Sequence, residues 1–156
     1  MKIDLIWIGK TKESYLKAGI SIYTNRLKHY TDFNIIEIND IKNPKNYSPE
    51  QLKVKEGELI LAQTKGNPLV LLDEKGKHYN SVKFAEYLEQ WQIKSTRKLQ
   101  FVIGGAFGFS PNVYRAAVGK LALSEMTFSH QMIRLFFSEQ LYRGFTIISN
   151  QPYHNI

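Results

Sequence analysis

A chain of 156 residues, 43% apolar and 22% charged, has the size of one domain with a self-sufficient core, so a single domain over residues 1–156 is expected. The absence of cysteine excludes disulfides, thiolate metal sites and thiol nucleophiles, and agrees with a reducing, cytoplasmic setting. No apolar run approaches the roughly 18 residues of a membrane span, and a net charge of +7 with a pI near 9.5 favours a polyanionic partner.

In chain order, residues 2–8 alternate and then saturate with apolar side chains, as a buried strand does. Asp4 interrupts the run and Gly9-Lys10 turns the chain, which does not suit a signal sequence. Leu16, Ile20, Tyr23 and Leu27 recur at helical spacing, residues 33–38 read as a second strand, and 41–47 form a Pro/Asn/Lys loop. Ser48, Pro49 and Gln51 are the cap, first-turn proline and capping-box partner of a helix reaching about Thr64, with Gly57 as an internal cost.

Residues 69–72 are a third, fully apolar strand ending in a polar turn, Asp73 to Lys77. Ser81 can cap a helix with Phe84, Ala85, Leu88 and Trp91 on its inner face. Residues 99–103 form a fourth strand that runs into Gly104-Gly105-Ala106-Phe107-Gly108, and Ser110-Pro111 starts a helix past Val113, Ala116 and Ala117. A fifth strand, 121–123, leads through a polar turn to a helix with Ile133, Phe136, Phe137 and Leu141 on one side. His130, Arg134, Glu139 and Arg143 surround that helix, and Tyr153 and His154 lie in the tail beyond it.

Strand and helix patterns alternate throughout, predicting an α/β domain of three layers, with a mostly parallel sheet and helices on both faces. In such a sheet the loops after Leu72, Ile103 and Leu123 open on one edge, where ligands bind. The Gly104–Gly108 loop is neither a dinucleotide fingerprint nor a Walker loop; it can be a plain turn or a place where backbone approaches a ligand. The four histidines, His29, His78, His130 and His154, lack metal-ligand spacing, so no metal is expected, and Ser110 does not sit in a nucleophile elbow. After Glu125 only Glu139 is acidic, which leaves the last third basic and aromatic, a combination suited to phosphate contacts and base stacking.

Five segments in order, LLDEKGK (71–77), FVIGGAFGFS (101–110), LSEMTFSHQMIR (123–134), EQLYR (139–143) and PYH (152–154), closely resemble the RlmH family, SPOUT-class methyltransferases acting on 23S ribosomal RNA. The resemblance spans essentially the whole chain. It implies S-adenosylmethionine-dependent methylation of N3 of a pseudouridine in helix 69 of that RNA, a homodimer, and a C-terminal trefoil knot. It also places cofactor contacts on Leu72, Gly104, Leu123, Ser124, Glu125, Met126, Thr127 and Phe128. Ser129 and Gln151 depart from residues common in relatives, proline and histidine respectively.

The nucleophile in that reaction is an imide nitrogen, protonated near neutrality, whose proton must leave or whose flanking carbonyl oxygens must be stabilised. Arg143 is the candidate for those oxygens, its alternative being an i,i+4 ion pair with Glu139. His154 is a candidate base and Tyr153 a stacking face, against the alternative of a frayed tail; His130 reads equally well as a packing residue. A short tail can also be supplied by a partner subunit. The rival reading is a non-catalytic RNA-binding protein in which the glycine loop is only a turn; a nucleotide-dependent oxidoreductase lacks its fingerprint.

Overall fold

The computed structural model describes residues 1–155. Five strands, β1 (Lys2–Ile8), β2 (Asp32–Ile38), β3 (Leu69–His78), β4 (Lys98–Ile103) and β5 (Gly119–Ala122), alternate with five helices. The helices are α1 (Ser14–Leu27), α2 (Pro49–Thr64), α3 (Ser81–Ile93), α4 (Pro111–Ala116) and α5 (Met132–Ile148), with one short 3-10 turn at Pro44–Asn46. The sheet order is β2-β1-β4-β3-β5 and every neighbouring pair is parallel.

Period-two alternation sorts the strand side chains into two cores. Ile3, Leu5 and Trp7 of β1, Val70 of β3 and Leu99, Phe101 and Ile103 of β4 face α1, α3 and α5, where they meet Ile20, Leu27, Phe84, Leu88, Phe137 and Leu141. Ile6, Ile8, Leu69, Leu71 and Val102 face the other way, onto Ile60 of α2 and Val113 of α4. Each such fully buried side chain contributes about 1.5–3 kcal/mol of transfer free energy. With helices on both faces, all three layers of the expected architecture are present.

The α2 start is as anticipated: the Ser48 hydroxyl accepts from Gln51 N–H while the Gln51 side chain accepts from Ser48 N–H. Four local expectations need correction. The cap of α3 is Asn80, whose side chain accepts from Lys83 N–H, and Ser81 is already inside the helix, where its hydroxyl donates to Gln140. Gly57 is no idle cost, because a Cβ there would collide with Ser110 and Val113; the glycine lets α2 and α4 touch.

The third correction concerns β3, which does not stop at Leu72. Both Leu72 and Lys77 pair with Leu121, so residues 73–76 bulge out of the ladder and the strand resumes to His78. Gly76 is required there, since an added Cβ would lie 2.6 Å from the Leu121 backbone. Lastly, α4 ends at Ala116, and β5 begins two residues earlier than expected, at Gly119, leaving Leu123 in the loop beyond the strand.

Candidate active site

Three strand ends build one cleft of about 700 Å³ at the carboxyl edge of the sheet. Leu72, Asp73, Glu74 and Lys75 come from the β3 bulge, residues 103–109 from the glycine loop, and residues 121–124 and 126–130 from the segment after β5. Lys53 of α2, Tyr114 of α4 and Ile133 of α5 complete its walls. Of the eight residues proposed for the cofactor, seven therefore share the cleft; Glu125 is not among its lining residues. The volume lies in the range typical of small-molecule sites.

Local hydrogen bonds hold each wall in shape. In the bulge, Asp73 accepts from Lys75 N–H at 2.8 Å and from the Tyr114 hydroxyl, tying β3 to α4. Burial first, then the hydrogen bond to Asp73, pushes the Tyr114 phenol up to about 12, so it is a donor throughout the physiological range. Thr127 donates to Glu74 at 3.3 Å, and Met126 N–H donates to the Ser124 hydroxyl at 3.0 Å, closing the opposite wall.

The glycine loop is a tight turn in which Gly108 N–H donates to Gly105 C=O at 3.1 Å. Only Gly108 (φ 83°) needs the left-handed region. Gly104 and Gly105 are small for another reason: a Cβ at Gly104 would press 3.1 Å from the Phe109 ring, and one at Gly105 would meet the Glu56 carboxylate at 2.6 Å. Glu56 in turn has its pKa raised, by burial and then by Asp40.

The cleft's third wall is anchored by Arg134, which is buried without a salt-bridge partner among the described residues. Its guanidinium donates to the carbonyls of Ile8, Gly9 and His130 and to the Thr11 hydroxyl, and lies 4.7 Å from the centre of the Trp7 ring. Burial lowers its pKa to about 10, which still leaves it charged. His130, at the cleft wall, is held below its ordinary 6.5 by burial and then by Arg134 and Lys12.

Arg143, Tyr153 and His154 do not line the cleft. They form a second cluster around Glu139: its Oε1 accepts from Arg143 Nη2 at 2.6 Å, from Arg143 Nε at 3.1 Å and from the Tyr153 hydroxyl at 3.0 Å. The Arg143 guanidinium sits 4.8 Å from the Tyr153 ring centre, and its Nη1 lies 3.1 Å from His154 Nδ1. Since arginine only donates, Nδ1 must accept, which puts the imidazole proton on Nε2. In this arrangement His154 offers a donor rather than a base. The Tyr153 hydroxyl on Glu139, its ring 4.7 Å from that of Tyr142 and His154 against Arg143 dock the tail on α5, and burial is the first cause that pushes the Tyr153 phenol upward.

The two clusters are about 15 Å apart along one helix, since Ile133 lines the cleft and Arg143 lies ten residues further on at 1.5 Å each. Phe136, Glu139 and Arg143 fall on one stripe of α5. Phe136 packs on Phe128, ring centres 4.8 Å apart, and both are over a third exposed. Sequence reasoning did not single out Tyr114 or the Arg134 clamp as parts of the cleft. An arginine at an inward position of an otherwise apolar stripe was the available signal for the clamp.

The sequence pattern of a family described as predicted SPOUT methyltransferases matches residues 1–154. The chain belongs to this family. Its curated relatives align end to end. This SPOUT methyltransferase is 56% identical over 156 residues to "Ribosomal RNA large subunit methyltransferase H" of Parabacteroides distasonis and 54% identical to the protein of that name from Flavobacterium psychrophilum, with 99% of each chain covered. A solved structure from Haemophilus influenzae, titled a probable methylase family protein, shares the fold of this SPOUT methyltransferase with a TM-score of 0.52 at 14% identity, over 99% of this chain and 70% of that one.

Proposed function

We propose that the protein transfers a methyl group from S-adenosylmethionine to large-subunit ribosomal RNA, at N3 of a pseudouridine in helix 69 of the 23S molecule. The observation that carries this reading is the end-to-end identity with relatives named for large-subunit RNA methylation, from 45% to 56% over 156 residues. The cleft fits the cofactor chemically. It offers apolar surface from Leu72, Ile103 and Ile133 for an adenine ring, together with Asp73, Glu74, Lys53 and Lys75 for a ligand carrying both signs of charge. When bound, S-adenosylmethionine supplies a methyl group on a positive sulfur, open to in-line displacement.

The chain's own residues have three tasks. The bulge, the glycine loop and residues 123–128 hold the donor and keep water from it. Arg143, held by Glu139, directs its remaining N–H groups at the carbonyl oxygens that flank N3 and stabilises the anion left when the imide gives its proton to solvent before the methyl group is transferred. Tyr153 offers a face to the base, and His154, with its proton on Nε2, donates to an oxygen of the same ring.

Because the two clusters lie apart in one chain, we read the enzyme as a homodimer in which one protomer's tail serves its partner's cleft. An α5 stripe with Phe136 at one end and Arg143 at the other supports this: a two-fold axis across its middle brings each Arg143 towards the opposite cleft mouth. The return of the chain from edge strand β5 across the sheet to β1, where Arg134 fastens it, supports the trefoil knot as well. Among the described residues no helix is long and apolar enough to cross a membrane; the ribosomal substrate of the proposed reaction is what places it in the cytoplasm.

The direct test is incubation of purified protein and labelled S-adenosylmethionine with ribosomes lacking the modification, followed by mapping of the labelled nucleotide. Label on the helix 69 pseudouridine is expected. Label elsewhere, or none, contradicts the reading.

A further inference from the structure

A second groove, of about 540 Å³, lies between α1 and the exposed edge strand β2. Its lining carries Lys10, Lys17 and Lys28 together with exposed Ser21 and Asn25, and buried Thr11 and Ile20 lie beneath them. Lys17, Ser21, Thr24 and Lys28 are spaced by four, three and four residues, hence one stripe of α1 about 16 Å long.

Two features separate this groove from an ordinary solvated helix face. None of the three lysines forms a salt bridge among the described residues, and the one carboxylate in the lining, Glu37, accepts from the Trp7 indole N–H at 3.2 Å. Unpaired cations beside the exposed side chains of Ser21 and Asn25 match an anion whose oxygens accept from several donors.

Position narrows the anion. The groove and the cleft share the loop after β1: Gln131 donates to Lys10 C=O at 3.2 Å and accepts from Lys12 N–H at 3.0 Å, while its neighbour His130 lines the cleft. The groove therefore begins beside the cleft at the carboxyl edge and runs along α1 towards the amino edge of the sheet, where Lys28 precedes the start of β2. It also lies on the side of α1 opposite Tyr15 and Ile22, the exposed apolar residues of that helix.

We infer that this groove is a binding track for the RNA phosphodiester backbone flanking the methylated nucleotide, with Lys10, Lys17 and Lys28 each contacting a phosphate. The inference rests on the RNA-substrate reading above. Each lysine neutralising a phosphate adds about 0.7 to the salt slope of binding to single-stranded RNA.

The test uses full-length protein and ribosomes lacking the modification, with co-sedimentation and methyl transfer measured across a salt series. Lys17→Glu/Lys28→Glu is expected to weaken sedimentation and raise the KM for ribosomes about tenfold or more, and to flatten the salt slope by about 1.4. Cofactor affinity should stay the same. Lys17→Arg/Lys28→Arg keeps wild-type binding, and Lys83→Glu/Lys94→Glu, the same charge change on α3, leaves the slope alone.

An unchanged slope and KM in the Lys17/Lys28 double variant overturn the track, as does an equal loss in the α3 control. Wild-type protein that sediments with ribosomes yet transfers no methyl group sinks the catalytic reading instead, and the track then stands or falls on the sedimentation slopes.

Discussion

Arg134 shows how one residue links the core to the cleft. It donates four hydrogen bonds from a position that is 1% exposed, and three of its acceptors, Ile8 C=O, Gly9 C=O and the Thr11 hydroxyl, belong to β1 and the loop after it. Arg134→Met fills similar volume but leaves those acceptors unpaired, so chemical denaturation should report a loss of about 3 kcal/mol or more. Its neighbour His130 gives a pH signature. Because its folded pKa lies below the ordinary 6.5, the unfolded chain takes up the proton first, and stability present above pH 6.5 declines as pH falls through that value to the folded pKa. His130→Gln should flatten this part of the Tm-against-pH curve; an identical slope in both proteins would remove His130 as its source. For Arg143, replacement by alanine is expected to leave cofactor affinity intact by calorimetry and to lower methyl transfer about 10²–10³-fold.

Among the elements, the β3 bulge is the most exacting. A Cβ added at Gly76 would lie 2.6 Å from the Leu121 backbone, and the bulge carries Asp73 and Glu74 to the cleft. Gly76→Ala must part β3 from β5, and we expect lowered Tm and weakened cofactor binding together. Gly57→Ala gains about 1 kcal/mol of helix propensity, yet its methyl group would collide with Ser110; net destabilisation is expected, and a rise in Tm would show that α4 yields easily.

The difference between what was and was not legible follows the same lines. Strands with apolar saturation and helices with caps announced themselves, because local chemistry decides them: Ser48, Pro49 and Gln51 fixed the start of α2 without help from the rest of the chain. The bulge did not, because its polar residues look like a turn until Lys77 finds Leu121 again across the sheet. Convergence of the loops after Leu72, Ile103 and Leu123 followed from the parallel topology alone. Which side chains line the cleft did not follow, as Tyr114 reaches it only through the placement of α4.

At the level of the whole molecule, the separation between cleft and tail governs the mechanism. One chain carries the cleft at the first turn of α5 and the Glu139–Arg143–Tyr153–His154 cluster near its last turns. In the proposed homodimer the two come from different chains. The measurement that tests this most directly is subunit mixing between Arg143→Ala protein, impaired in the Glu139 cluster, and Gly76→Ala protein, or another variant shown to have lost cofactor binding. If sites form between subunits, each mixed dimer regains one intact site, and random exchange restores about a quarter of wild-type methyl transfer. Mixtures no more active than the separate variants would contradict the account and return cleft and tail to a single chain.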